Sequence, residues 1–358
     1  MTVQPSPVVS ADAARSFVAA AGASGGVPES QLDLFVASFV EADLRGVETH
    51  GMIRIPAYVR AFLRGIVNAA PAISVVNDGS ASALIDGDNG LGMVVGQVAM
   101  DMAVQRAREY GVGAVSVRNS NHSGMLAVHV QRAVDQGMLG FFTSGGAPIM
   151  AAWGGADAVL GNGPFAWGIP RATAFPIVVD MAASTAARGK IRVLAAEGKS
   201  IPQGWAVDAT GNPTTDARAA MEGVILPMAG HKGYGIAVAM EVLSSVLSGS
   251  QLAAEAPRDF LKEGSTVLDS WKIGHFALAL NLEVFDHSFQ ETLERLVVIL
   301  TRSRLAKGVD RVLLPGQPEW ERRQDRLQHG IPISPRVLSA LDAFAAEVGI
   351  DPLRTQPA

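Results

Sequence analysis

The sequence predicts an α/β fold, because candidate strands and helices alternate through its middle. In chain order these elements are a strand at Ser82–Asp86, a helix at Gly92–Tyr110, a strand at Gly113–Val117, a helix at Gly124–Gln136 and a strand at Leu139–Thr143. The first 65 residues and those after Pro315 carry helical patterns instead. We therefore expect helical N- and C-terminal regions around a central sheet.

The composition is that of a globular protein with a sizeable core. Of its 358 residues, 48% are apolar and 18% are charged, which argues against a disordered chain and favours about two domains. The net charge is -5 and no run of Lys or Arg forms a basic patch, so no nucleic-acid partner is expected. The absence of cysteine excludes disulfides, thiolate catalysis and Cys-ligated zinc.

Neither a targeting segment nor a membrane span is predicted. The stretch Met1–Ala20 lacks the basic start and long apolar core of a signal peptide. The most apolar stretch, Met138–Pro170, is interrupted by Gly, Pro and Asp157, whereas a membrane helix needs about 20 continuous apolar residues. We expect a cytoplasmic protein with no membrane partner.

Apolar spacing defines the remaining elements. Phe35 and Phe39 share one face of a helix that Gly46 is expected to end, and a second short helix is predicted to start near His50. The segment Ser144–Arg171 is rich in Gly, Pro and Trp and shows little periodicity. Later elements are a buried strand at Pro176–Asp180, a buried helix at Gly230–Leu247, a long strand at Phe276–Phe285 and an amphipathic helix at Leu293–Ala306.

A glycine-rich turn precedes the helix at Gly92–Tyr110. Gly90, Gly92 and Gly96 follow a predicted strand, as in the phosphate loop of a Rossmann fold. The spacing has one residue too many before the third glycine, however, and the nearby Asp86 and Asp88 would repel a pyrophosphate. We therefore predict that this turn does not bind phosphate.

The segment Asp43–Arg54 is the strongest candidate for chemistry. If the chain is helical from Gly51, His50 and Arg54 are four residues apart and share a face. A guanidinium can hold a carboxylate through two hydrogen bonds, and an imidazole titrates near neutrality and can exchange a proton with a neighbouring oxygen or nitrogen. The alternative is an ordinary helix start capped by Thr49, which the spacing alone favours.

Two further segments combine glycine with cationic or polar residues. Arg118–Gly124 lies between a strand and a helix, where backbone N–H groups can face an anion; the alternative is a plain turn capped by Ser123. Gly230–Gly235 contains Lys232, which can hold a phosphate or ribose; the alternative is a turn with a solvated lysine. The seven histidines include no HExxH motif, so no metal site is expected, although distant histidines can still converge.

Taken in order, these segments resemble the malate/L-lactate dehydrogenase family of non-Rossmann, NAD(P)-dependent oxidoreductases. The resemblance extends from about Val40 to Pro315. It implies an α/β fold with a mixed central sheet, a homodimer, and NAD or NADP as cofactor. The implied reaction transfers a hydride between nicotinamide and C2 of a small 2-hydroxy or 2-oxo acid of the malate, lactate, sulfolactate or ureidoglycolate type. Reduction of cyclic 2-imino acids such as Δ1-piperideine-2-carboxylate or Δ1-pyrroline-2-carboxylate is the alternative.

The resemblance also implies a role for individual residues. His50 would be the proton donor with Thr49 orienting it, although some members of the family assign the acid/base role to the position of His122. The implied substrate-binding residues are Arg54, Asn162, Arg188 and Gly189. The implied cofactor-binding residues are Ser120, His122, Ser123, Gly124, Met125, Leu126, Asp180, Met181, Ala182, His231, Lys232 and Gly308.

Several positions depart from the family pattern and leave the substrate open. Ser123 replaces an aromatic residue, Asn162-Gly163 replaces a Thr-Asn pair, and Ala183 replaces a threonine. A metal-dependent hydrolase or lyase and a catalytically inactive binding protein of this fold are the rival functions. For the domains we predict a helical region 1–70 paired with helices in 306–358. The remainder, 71–305, is a discontinuous cofactor-binding domain with a substrate and dimer insertion near 120–172.

Overall fold

The computed structural model describes residues 7–172, 174–256 and 272–355. Its strands are β1 (Val8–Val9), β2 (Ser74–Asp78), β3 (Ser82–Gly90), β4 (Val112–Ser120), β5 (Leu139–Ser144), β6 (Met150–Ala151), β7 (Ala158–Leu160), β8 (Phe165–Ile169), β9 (Ile177–Met181), β10 (Ala206–Val207), β11 (Pro213–Thr214), β12 (Val224–Ile225), β13 (Ile273–Leu280) and β14 (Ile331–Pro332). Its α-helices are α1 (Ala11–Ser24), α2 (Glu29–Leu44), α3 (Ile55–Leu63), α4 (Gly92–Tyr110), α5 (Ala127–Val134), α6 (Arg188–Ala196), α7 (Ala217–Glu222), α8 (His231–Glu241), α9 (Phe289–Thr301), α10 (Gln317–His329) and α11 (Pro335–Val348).

A seven-stranded mixed sheet forms the centre, which confirms the predicted α/β class. Its strand order is β2-β3-β4-β13-β5-β8-β9. β3 and β4 run parallel because α4 connects them, and the other neighbouring strands pair antiparallel. Successive residues of β13 face opposite sides: His275 approaches Gly92 of α4, whereas Gly274 lies against the turn that contains Ser244. Both faces of the sheet are therefore covered.

The glycines before α4 serve close packing. A side chain at Gly92 would collide with the backbone of Asn121, and one at Gly96 would collide with the ring of His129. Asp86 pairs with Arg118 at 3.0 Å instead of facing an open anion site. The helix itself has the predicted bounds. Its N-terminus is packed against protein, which gives a structural reason for the glycine pattern.

The N-terminal helices share a core with the C-terminal end of the chain. β1 pairs with β14, α1 packs against α11, and α10 lies along α2. The largest buried side chains of this core are aromatic: Phe35, Phe39, Tyr58 and Phe344. A second, five-stranded sheet has the order β11-β10-β12-β6-β7 and packs with α6, α7 and α8 around its own apolar cluster.

Several predicted elements differ from the observed ones. The predicted buried helix at 230–247 is α8 followed by a π-helical turn, Val242–Val246, and one of its faces is exposed. Its apolar residues form a stripe that the described part of the chain does not cover, which composition alone cannot reveal. The predicted strand at 276–285 ends at Leu280, because the Asn281 side chain accepts the Glu283 amide and starts a 3-10 turn. None of the described helices is long and apolar enough to cross a membrane.

Candidate active site

A cleft of about 470 Å³ lies between the N-terminal helices, the start of α5 and the edge of the central sheet. The lining residues that carry its chemistry or shape are Arg45, Thr49, His50, Gly124, Met125, Leu126, Asn162, Asp180, Met181, Ala182, Pro315, Gly316 and Glu319. Many of the residues that the sequence singled out therefore meet in one place, although they come from segments far apart in the chain.

The segment that carries His50 is built from two short 3-10 turns, Glu48–His50 and Met52–Arg54, and α3 begins only at Ile55. The helix therefore starts several residues later than the predicted position near His50. Between the turns, the Met52 amide donates to the buried Asp43 carboxylate at 2.8 Å. A side chain at Gly51 would collide with that carboxylate. Burial raises the pKa of Asp43 to about 7, although the hydrogen bond from Met52 opposes the shift.

Thr49 connects His50 with Arg54. The Thr49 hydroxyl lies 3.0 Å from Nδ1 of His50, and the Thr49 carbonyl accepts Nε of Arg54 at 2.8 Å. Burial, with a smaller contribution from the Arg54 charge, lowers the pKa of His50 to about 4. His50 is therefore neutral at physiological pH, and Arg54 is held beside it.

His122 joins this group from the other side. Its ring stacks on that of His50 with the centroids 5.7 Å apart and the planes at 13°. Nδ1 of His122 lies 2.7 Å from the Tyr58 hydroxyl and accepts the Gly124 amide at 3.3 Å. Burial, followed by the charges of His50 and Arg54, lowers the pKa of His122. Because Nδ1 is the acceptor, the proton of the neutral ring is on Nε2.

Tyr58 was missed as a site residue, because its buried ring fits an apolar helix face equally well. It lies four residues after Arg54, so the spacing that linked His50 with Arg54 also extends to Tyr58. That repeated spacing was the available signal. The hydrogen bond to His122 spans 64 residues of sequence and has no local signature.

Asp180 stands at the end of β9 and caps α5. Its carboxylate accepts the Ala127 amide at 2.8 Å. Although Asp180 keeps an exposed face in the cleft, desolvation raises its pKa to about 6, opposed by the amides of Ala127 and Leu126 and by the Arg45 charge. The buried Arg45 guanidinium donates to Gln131 at 3.0 Å and to Glu41 at 3.4 Å.

Arg54 and His122 adjoin the His50 turn but, like the other predicted residues that follow, lie outside the cleft lining. Arg188 donates to the Met221 carbonyl at 3.2 Å, and Gly189 follows it in the first turn of α6. His231 and Lys232 begin α8, where the ring of His231 meets Trp153 edge-on.

Ser120 is fully buried and bonds His275 at 2.9 Å, and Ser123 is buried with its carbonyl facing His129. Gly308 has a positive φ and an open environment. The roles predicted for these residues remain predictions.

The segment that reaches the cleft is Pro315-Gly316, farther along than Gly308. The Pro315 carbonyl accepts the Val178 amide at 3.1 Å, which extends the edge strand β9. Gly316 has φ 80° and lies directly against Val178, so a side chain there would be doubly unfavourable. The glycine of Leu314-Pro315-Gly316 was the sequence signal that could have identified this segment. Within the described residues, no group of three or more His, Cys, Asp or Glu is arranged to hold a metal ion.

Comparison with known proteins identifies a family to which this chain is similar. A family model described as malate/L-lactate dehydrogenase matches residues 9–342. Malate dehydrogenase of Pyrococcus horikoshii is 36% identical over 338 residues, which is 92% of each chain. An NAD(+) ureidoglycolate dehydrogenase of Escherichia coli O157:H7 is 31% identical over 298 residues, 82% of this chain and 83% of that one. The solved structure of sulfolactate dehydrogenase from Methanocaldococcus jannaschii superposes with a TM-score of 0.88 at 34% identity and covers 96% of this chain and 98% of that one.

Proposed function

Because this chain belongs to the malate/L-lactate dehydrogenase family, we propose that it catalyses hydride transfer between NAD or NADP and C2 of a small 2-hydroxy or 2-oxo acid. Family membership makes it an oxidoreductase of small hydroxy acids, and the particular acid and cofactor are the proposed part. The observation that supports this most directly is the grouping of Arg54 and His122 around His50, which lines the cleft.

The lining of the cleft fits a nicotinamide cofactor. Val178, Val179 and Leu126 give apolar walls suited to flat rings, and the volume lies in the range of small-molecule sites. The carboxylates of Asp180 and Glu319 can accept hydrogen bonds from ribose hydroxyls. When bound, the cofactor supplies the hydride for C2 or receives it. Residues 124–127 and 180–182, which line the cleft, would hold it beside His50.

Arg54 is proposed to bind the substrate carboxylate. Its Nε donates to the Thr49 carbonyl, and that bond orients the planar guanidinium. The Nη groups of the same plane are then available to pair with two carboxylate oxygens. Since His50 follows Thr49 directly, a carboxylate held by Arg54 places its C2 oxygen near the imidazole.

His50 is proposed to exchange the proton at the C2 oxygen. In the oxidative direction, the hydroxyl proton of the substrate passes to the neutral imidazole as the C2–H bond breaks. In the reductive direction, the ring first takes up a proton from solvent and passes it to the oxygen as C2 receives the hydride. The lowered pKa of His50 favours this second transfer. His122, with its proton on Nε2, donates a hydrogen bond to the same oxygen and stabilises the charge that develops there.

We also propose a homodimer formed through the exposed face of α8 and the π-helical turn, outside the 120–172 insertion that the sequence suggested. Val238, Val242 and Val246 follow one another at four-residue intervals, with 37%, 46% and 57% of their surface exposed. Leu247 is 55% exposed beside them. An apolar stripe of this kind on a folded chain indicates a protein contact, and a second copy is the partner that every molecule of this chain meets.

A reductase panel tests the proposed function. The purified protein is mixed with NADH or NADPH and with 2-oxo acids of the malate, lactate and sulfolactate type, and with cyclic 2-imino acids. We expect oxidation of at least one cofactor with a 2-oxo acid, and we expect it to persist in EDTA. Preference for an imino acid would show that the protein is a ketimine reductase instead. Failure of every combination would contradict hydride transfer and favour an inactive binding protein.

A further inference from the structure

Three arginines on α10 face the C-terminal end of α2. Arg323 donates to both oxygens of the Glu41 carboxylate, at 2.7 and 2.9 Å, and Arg322 lies 3.4 Å from the Arg45 carbonyl. Arg326 donates to the Asp43 carbonyl and, at 2.7 Å, to the Glu48 carboxylate. Their spacing of three and four residues places them on one side of α10. The C-terminal helix is therefore attached to the segment that leads into the candidate active site.

Arg326 spans the short connection between α2 and the turn that contains His50. Its partner Asp43 belongs to the last turn of α2, and its partner Glu48 begins the 3-10 turn. The side chain of Arg326 is only 11% exposed, whereas that of Glu48 is 55% exposed, so solvent competes mainly at the Glu48 end. One planar cation thus fixes both ends of the connection.

The turn held by Arg326 determines where the reacting groups stand. The Gly51 amide bonds the Glu48 carbonyl, which closes the turn around Thr49 and His50. Past that turn, the Asp43 carboxylate holds the Met52 amide. The Arg326–Glu48 pair therefore anchors the entry of the turn, and Asp43 anchors its exit.

We propose that Arg326 is a positioning residue for the reaction. Through its contacts with Glu48 and the Asp43 carbonyl, it keeps His50 and Arg54 in fixed positions beside the cleft. Its helix begins at Gln317, directly after Pro315-Gly316 in the cleft wall, so the same helix bridges the cofactor end and the proton-transfer end of the site. This role rests on the proposed hydride transfer.

The test compares Arg326→Gln, Glu48→Gln, the double variant and Arg326→Lys. Displacing a reacting group by about 1 Å can cost about 100-fold in rate, so we expect Arg326→Gln to lower kcat by about 10- to 100-fold. The dissociation constant for the reduced cofactor should stay unchanged. Glu48→Gln should lower kcat by a smaller factor, because the contact of Arg326 with the Asp43 carbonyl remains. The double variant should be little worse than Arg326→Gln, which already removes the Glu48 contact. Arg326→Lys should recover part of kcat.

His329→Gln is the matched control, because His329 pairs with the exposed Asp325 on the same helix. It should keep the wild-type kcat. Unchanged kcat in Arg326→Gln, or losses that multiply in the double variant, would overturn the proposal. If Arg326→Gln does not fold, Glu48→Gln decides alone, since 55% of the Glu48 side chain is exposed and its loss is tolerable.

A readout independent of turnover separates this proposal from the proposed function. Nitrogen resonances of His50 report its contact with the Thr49 hydroxyl. They should shift in Arg326→Gln and in Glu48→Gln but not in His329→Gln. If wild-type protein fails the whole reductase panel while these shifts occur, hydride transfer is wrong and the positioning contact is right. If activity is present and the resonances do not move, the positioning role is wrong.

Discussion

The hydroxyl of Tyr58 lies 2.7 Å from Nδ1 of His122, although the two residues come from α3 and from the loop after β4. Tyr58 is almost fully buried, and its ring packs 5.8 Å from that of Phe39. The hydroxyl therefore sits in a fixed position. It selects the tautomer in which His122 presents an N–H group from Nε2.

Tyr58→Phe should weaken catalysis without unfolding the protein. The aromatic packing is retained, whereas the hydrogen bond that selects the His122 tautomer is lost, at a cost of about 0.5–1.5 kcal/mol. We expect kcat to fall by roughly 3- to 10-fold while cofactor affinity is unchanged. Steady-state kinetics and fluorescence titration measure the two quantities. Tyr110→Phe, at a tyrosine that is 46% exposed on α4, is the control. Equal kcat in the two variants would remove Tyr58 from the chemistry.

Arg54→Met should abolish discrimination between a 2-oxo acid and its amide. A charge-assisted pair with a carboxylate contributes about 1.5–3 kcal/mol, so the wild type should prefer the acid by roughly 10- to 150-fold in kcat/KM. The variant should use both compounds poorly and almost equally. Arg64→Met, at an exposed arginine after the same helix, should keep the wild-type preference. Wild-type protein that treats acid and amide alike would refute the carboxylate role.

The sequence predicted which residues matter in the His50 segment better than it predicted their geometry. His50 and Arg54 were linked by helical spacing, yet both stand in 3-10 turns. Thr49 connects them, because its hydroxyl contacts His50 and its carbonyl accepts Arg54. A buried carboxylate, Asp43, sets that geometry through a hydrogen bond to a residue nine positions away. Local propensity does not encode such a contact.

Elements whose pattern is local were predicted correctly, whereas features that depend on tertiary contacts were missed. The bounds of α4 follow from its apolar repeat and from Gly111, whose φ of 81° ends the helix. By contrast, the exposure of α8 depends on which surface remains uncovered after folding. The sequence pointed to Gly308 as the glycine near the cofactor. The contact between Gly316 and Val178 shows instead that Gly316 lies at the cleft.

Buried neutral histidines should make the protein sensitive to acid. Burial lowers the pKa of His50 and His129 to about 4 and that of His275 to about 3, and it lowers that of His122 as well. An unfolded histidine titrates near 6.5. Between pH 6.5 and 4 the unfolded chain therefore binds protons that the folded chain does not. The free energy of unfolding falls as the pH falls through this window.

Two carboxyls, the buried Asp43 and the cleft-facing Asp180, act in the opposite direction. Desolvation raises the pKa of Asp43 to about 7 and that of Asp180 to about 6, so near pH 5 the folded chain holds protons that the unfolded chain lacks. Four histidines outnumber two aspartates, so near pH 5 the net effect of these groups is that the unfolding free energy falls as the pH falls. Urea unfolding at several pH values measures the slope. His129→Leu should reduce it by about one proton, and an unchanged slope would show that His129 does not resist protonation.

Val242→Glu should dissociate the proposed homodimer. Val242 lies at the centre of the α8 stripe, and a carboxylate there would be buried without a partner if two stripes met. We expect sedimentation velocity to show monomers for this variant and dimers for the wild type. Val193→Glu, at a valine of 55% exposure on α6, should remain dimeric. A dimeric Val242→Glu would place the contact elsewhere, and a monomeric wild type would refute the dimer.

Gly51→Ala should disturb both stability and catalysis, because its side chain would collide with the Asp43 carboxylate. That carboxylate cannot withdraw without losing the Met52 amide, which starts the turn leading to Arg54. Either response moves His50 and Arg54 relative to one another. We expect a lower Tm and a loss of kcat of more than about 10-fold, the range expected when reacting groups are displaced by a fraction of 1 Å.

Gly235→Ala is the matched control, since Gly235 lies inside α8 with open space around it. Alanine there should raise helix stability by up to about 1 kcal/mol and leave kcat unchanged. If Gly51→Ala keeps the wild-type Tm and kcat, the turn tolerates rearrangement, and Asp43 does not determine where His50 and Arg54 stand.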